Sequence, residues 1–150
     1  MQSFNSRILR AEKALEKHNS FSKAMPDPDL LKGSLIEFTK YFYELRTGRE
    51  FKIRPAESRR SLVDTIAPEL EKTLVHDPDC RRMIIRCPPR YGKTELMINY
   101  VAWALANYPD SKFIYVSYNA ELAVKQTKTI RRIITLPEYE MLFGIKILND

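Results

Sequence analysis

The run Cys87-Pro88-Pro89-Arg90-Tyr91-Gly92-Lys93-Thr94 constrains this chain most tightly, because two prolines, a glycine and then Lys-Thr dictate a turn that opens a helix. Gly-Lys-Ser/Thr between a strand and a helix is the arrangement that holds nucleotide phosphates. Unpaired backbone N–H groups and the lysine ammonium converge on the β- and γ-phosphates, and the hydroxyl ligates Mg²⁺. Both flanks fit that context. Arg82-Met83-Ile84-Ile85-Arg86-Cys87 is a short apolar run suited to a buried strand, and Thr94 to Asn107 is rich in helix formers with no internal Gly or Pro.

The segment departs from the general pattern G-x-x-x-x-G-K-[ST] in two ways: Cys87 stands at the first glycine, and the next two residues are prolines. Pro88 and Pro89 have no N–H to give, so the phosphate cradle rests on Arg90, Tyr91, Gly92, Lys93 and Thr94. In this reading Gly92 permits the tight turn, Lys93 binds the β/γ-phosphates, Thr94 is the Mg²⁺ ligand and Arg90 stabilises phosphate charge. Lys93 and Arg90 are the candidate catalytic residues, and Glu95 completes the ATP-binding stretch in the first helical turn. The plainer alternative is a solvated helix start with an ordinary lysine, in which Glu95 is a first-turn acid favoured by the helix dipole.

A hydrophobic share of 44% over 150 residues suits one globular core. The apolar runs are too short for a membrane span, and Met1 to Arg10 lacks the apolar region of a signal peptide, so no membrane partner is expected. Two cysteines, Cys80 and Cys87, fit a reducing cytoplasm better than a disulfide framework. With His76 they follow no recognised zinc spacing. The charge of +6 favours a polyanionic partner without requiring one. Its placement is more informative: Lys125, Lys128, Arg131 and Arg132 recur at helical spacing after Ser117-Tyr118-Asn119, giving one cationic stripe. Ser117, Tyr118, Asn119, Lys125, Lys128 and Arg132 are the candidate DNA-binding residues. A solvated outer face with Asn119 as helix N-cap gives the same pattern. Arg46, Arg49, Lys52, Arg54, Arg59 and Arg60 form a second basic stretch, near nucleotide or DNA or simply in a loop.

Along the chain, a charged helical pattern from about Ser6 to His18 is interrupted by the prolines of Met25-Pro26-Asp27-Pro28-Asp29. Leu31, Leu35, Phe38, Phe42 and Leu45 then form an apolar stripe, closed by Thr47-Gly48; Tyr41 and Tyr43 read as core or rim residues of that helix, with base stacking as the alternative. Ser61-Leu62-Val63-Asp64 resembles a capping box, and Val63, Ile66, Leu70 and Leu74 continue one helical face that Pro68 is expected to kink or break. His76-Asp77-Pro78-Asp79 reads as a turn. Strand, phosphate loop, helix, a second strand at Lys112 to Ser117 and a second helix describe a right-handed βαβ unit with a parallel sheet. Phosphate then sits at the carboxyl end of the first strand. Tyr108-Pro109-Asp110 ends the first crossover helix, and Ile145 to Leu148 begins a third strand.

Pro-Pro-Arg-x-Gly-Lys-[Ser/Thr] after an Ile-rich segment resembles the ATPase motif of tailed-phage terminase large subunits. Lys112-Phe113-Ile114-Tyr115-Val116-Ser117-Tyr118-Asn119-Ala120-Glu121-Leu122-Ala123 is similar to that family's second strand and Ser-Tyr-x-x-x-Leu-Ala segment. Leu136-Pro137-Glu138-Tyr139 and Leu142-Phe143-Gly144 resemble the turn and short helix that follow. The likeness spans roughly residues 50 to 150; residues 1 to 49 carry no assignable motif. It implies an α/β fold, a partial P-loop NTPase (RecA-like) parallel sheet with flanking helices, preceded by an N-terminal helical segment. Residues 1–28 would be the helical extension and 29–150 an incomplete ATPase domain, without the acidic Mg²⁺-holding strand and the nuclease domain. The implied cofactors are ATP and Mg²⁺. The implied partners are double-stranded viral DNA, the portal protein, the small terminase subunit and copies of the chain in a ring, in the bacterial host cytoplasm and transiently at the procapsid portal. The intact motor would package DNA into procapsids and cleave it.

The family often places a nucleobase-contacting Gln upstream, and no Gln stands between Met25 and Arg90. Asp150 follows Ile147-Leu148-Asn149 too soon to match the family's acidic strand. Two other readings share the phosphate loop: a superfamily 2 helicase or restriction-translocase fragment, and a prophage remnant that binds nucleotide or DNA without turnover.

Overall fold

The computed structural model describes residues 25–52, 62–75, 78–79 and 82–146. The expected helix at Ser6 to His18, the capping residue Ser61, His76, Cys80, Arg54, Arg59, Arg60 and the end of the third strand lie outside them.

Every regular element among the described residues is an α-helix: α1 (Pro28–Gly33), α2 (Leu35–Thr47), α3 (Leu62–Leu74), α4 (Lys93–Asn107), α5 (Ala120–Ile134) and α6 (Pro137–Phe143). The expected α/β parallel sheet is thereby corrected, and with it the βαβ unit and the placing of phosphate at a strand end. Residues 82–88 and 111–117 carry no strand, and Ile145 and Lys146 do not begin one. The apolar runs are present but their backbones form no ladder. Met83 and Ile85 pack against the core while Ile84, between them, is 85% exposed. Phe113 leans on Tyr100 with ring centroids 6.4 Å apart, and the Tyr115 hydroxyl bonds the Gln126 side chain. Each run has therefore found side-chain partners on one face without a backbone neighbour, and strand identity depends on that neighbour.

Local chemistry sets most helix ends. Asp27 accepts a hydrogen bond from Asp29 N at 3.0 Å and Pro28 occupies the first turn of α1, so this proline opens a helix instead of interrupting one. Ser34 separates α1 from α2, its hydroxyl accepting from Glu37 N at 3.4 Å. The stripe read as continuous thus belongs to two helices, yet Leu31, Leu35, Phe38 and Phe42 are all buried as expected. Gly48 and Gly144 close α2 and α6 in the left-handed region, with φ of 66° and 67°, where glycine carries no Cβ penalty. Helix α3 continues through Pro68, so the break expected there does not occur. Pro68 is exposed while Ala67 and Leu70 are buried, so packing of the opposite face offsets the donor that proline lacks.

The core gathers on α4, which touches α1, α2, α3 and α5. Phe38, Phe42, Tyr139 and Phe143 form an aromatic cluster with centroid separations from 4.4 to 6.4 Å. Polar ties then fix the helices in register. Trp103 Nε1 donates to the carbonyls of Leu31 and Lys32, both at 3.0 Å, and the Tyr139 hydroxyl donates to the Ala102 carbonyl at 2.8 Å. Burial raises the Tyr139 pKa, which keeps that hydroxyl protonated and donating. Glu71 accepts from Leu35 N at 2.9 Å, and Thr73 and Tyr100 share a 2.9 Å hydroxyl contact, so α3 is joined to both α2 and α4.

Candidate functional site

The loop before α4 is a turn at Pro89 and Arg90 followed by Tyr91 and Gly92, and Pro88 to Tyr91 are all exposed. Arg90 has φ of 68° and Gly92 has φ of 80°, so two left-handed residues bracket Tyr91. Only glycine adopts this conformation without cost, which explains Gly92; Arg90 bears a strain of roughly 1–2 kcal/mol. Gly92 is the N-cap of α4 and supplies no side-chain cap. Its carbonyl accepts from Leu96 N at 2.9 Å, which starts the helical ladder. The N–H groups of Lys93, Thr94 and Glu95 precede the first helical donor and have no intrahelical acceptor, so they head an anion-attracting helix end. Lys93 and Thr94 are exposed. Beyond them α4 is buried at Leu96, Ile98, Asn99 and Tyr100, so the open turn stands on a fixed base.

Glu95 is engaged within the protein. Arg46, in the last turn of α2, bonds the Glu95 carboxylate through Nη2, and the Asn99 side chain donates to the Glu95 carbonyl at 2.8 Å. The carboxylate assigned to the ATP-binding stretch thus faces an arginine. Arg46 had been one member of a basic stretch, with no signal that paired it to a residue 49 positions away.

The second candidate group starts α5. The Asn119 side chain accepts from Leu122 N at 3.1 Å, and the Ser117 hydroxyl accepts from Asn119 N at 3.4 Å, so both are occupied in starting the helix. Tyr118 is 97% exposed. Lys125, Lys128 and Arg132 are exposed, whereas Gln126, Ile130 and Ile133 are buried. The cationic stripe therefore lies on the outer side of α5. Arg90 to Glu95 share one turn, while the polar contacts of Ser117 and Asn119 are local to α5.

Among the described residues, no group of three His, Cys, Asp or Glu side chains is placed to hold a metal ion. Cys87 is a free, half-buried thiol. Among those residues no helix is long and apolar enough to cross a membrane. No protein-family model, curated protein or solved structure matches the chain.

Proposed function

We propose that the loop from Cys87 to Thr94 and the first turn of α4 bind the phosphates of ATP, and that the chain is the N-terminal ATPase-domain portion of a DNA-packaging motor of the terminase large-subunit kind. The observation that carries the reading is the uncapped start of α4: a left-handed glycine with no capping side chain, followed by an exposed Lys-Thr pair. Such a turn directs consecutive N–H groups outward at the positive end of a helix. Lys93 adds a mobile ammonium for the β/γ-phosphates, Thr94 a hydroxyl for Mg²⁺, and Arg90 and Tyr91 the rim. The phosphate-binding reading rests on this turn and on the Pro-Pro-Arg-x-Gly-Lys-Thr sequence. The exposed cations of α5 are a surface for the DNA backbone in the same reading.

The Glu95–Arg46 pair favours a structural role for that carboxylate over a water-activating one. Turnover would then draw its acidic groups from elsewhere in the motor, and nucleotide binding is the property to test in this chain. Equilibrium titration with ATP and Mg²⁺ is the direct measurement. Lys93→Ala is expected to weaken binding at least about tenfold, the loss of one charged phosphate contact. Equal affinity of the wild type and Lys93→Ala would overturn the assignment.

A further inference from the structure

The first turn of α4 carries a carboxylate as well as the phosphate-binding groups proposed above. Glu95 is the third residue of the helix, in the field that draws anions to a helix N-terminus. Left uncompensated, its charge competes with an incoming phosphate for the same positive end. Arg46 meets it there. The guanidinium bonds the carboxylate, and the two side chains retain only 21% and 32% of their exposure, so solvent screens the pair only in part. The Tyr43 ring, centred 5.6 Å from the guanidinium carbon, supports Arg46 from its own helix. Arg46 Nε is buried without a hydrogen-bond partner. An unpaired buried donor opposes burial, so the placement of Arg46 follows the Glu95 contact at the expense of the guanidinium's own hydrogen bonding.

We infer that Arg46 is a positioning residue of the phosphate site: it holds the Glu95 carboxylate and cancels its charge, so that an anion reaches the start of α4 without a competing carboxylate. The inference rests on the phosphate-binding reading and adds to it a residue outside the loop, carried on α2. It also gives α2 a reason to respond to occupancy of the loop, since the Glu95 contact joins the two helices at the site.

The test is an ATP titration of four purified proteins: wild type, Arg46→Met, Arg46→Met combined with Glu95→Gln, and Lys93→Ala. Arg46→Met is expected to weaken binding about fivefold, the scale of one uncompensated charge at a partly exposed site. Removing the carboxylate as well is expected to return affinity to within about twofold of wild type. A purely structural prop would leave the double variant as weak as the single one, and that result overturns the inference, as does unchanged affinity in Arg46→Met. If Arg46→Met fails to fold, Glu95→Gln alone decides: tighter ATP binding supports the inference and equal or weaker binding overturns it. Failure of the underlying reading looks different, because wild type and Lys93→Ala would then bind alike, and the inference falls with it.

Discussion

Helices α4 and α5 have the same length, 15 residues each, and begin in opposite ways. α5 starts on Asn119, whose side chain satisfies an amide of its own first turn, with a supporting bond to the Ser117 hydroxyl. α4 starts on a left-handed glycine that offers no side chain, although the helix itself is the centre of the core. The more deeply packed helix therefore has the less satisfied beginning. Packing supplies the stability that a cap would add, and the free amides at the end of a well-held helix remain directed at a fixed point. A capped, solvent-facing helix such as α5 is suited to presenting side chains along its length instead. Its outer lysines and arginine are such a presentation.

The largest expected effect concerns the packing side of this contrast. Trp103 is nearly buried, its ring lies 6.4 Å from that of Tyr100, and its indole N–H is shared between two α1 carbonyls. Trp103→Ala is expected to cost about 3–5 kcal/mol in urea unfolding, by removing a large apolar side chain and its hydrogen bonds to the Leu31 and Lys32 carbonyls, of which the Lys32 carbonyl keeps a 3.3 Å bond from Asn107 Nδ2. Truncating Leu122, an exposed residue of α5, is expected to change stability by less than about 0.5 kcal/mol. Similar losses at both positions would show that α4 is not the more strongly anchored helix.

The second effect concerns the glycine. Gly92→Ala forces a Cβ into the left-handed region at φ of 80° and is expected to destabilise the fold by about 1–2 kcal/mol while also weakening ATP binding. Loss of stability with intact affinity would detach the turn conformation from the proposed site.

Residues that act on their immediate neighbours were legible in the sequence. Asn119 before α5, Thr47-Gly48 after α2 and Tyr108-Pro109 after α4 mark helix ends by chemistry confined to a few residues. The apolar stripe from Leu31 to Phe42 identified the core, although the break at Ser34, itself followed by Glu37 in the spacing of a capping box, went unread. That residues 82–88 and 111–117 form no strand was not legible, for the opposite reason. Ile84, Ile114 and Val116 give their segments the composition of strands, but a strand exists only with a distant backbone partner, and composition cannot supply one; these three side chains are 85%, 91% and 84% exposed. The Arg46–Glu95 pair was hidden in the same way. Each residue has a local explanation, as a basic residue in a last turn and an acid in a first turn, and only the packing of α2 on α4 brings them together. Within the candidate site, the turn was therefore readable and its electrostatic partner was not.

The smallest expected effect separates the two helix starts most cleanly. Asn119→Ala removes the cap of α5 and is expected to cost about 1 kcal/mol of stability in thermal or urea unfolding, the usual worth of such a side chain. ATP affinity should be unchanged, because the amide that Asn119 satisfies belongs to α5 and the proposed phosphate site belongs to α4. DNA binding by the α5 stripe, measured by fluorescence anisotropy at low salt, should fall only as far as the first turn frays, since Lys125, Lys128 and Arg132 lie beyond that turn. A fall in ATP affinity matching that of Gly92→Ala would mean that the two helix starts serve one shared site. The contrast between an open start and a capped one would then lose its functional meaning.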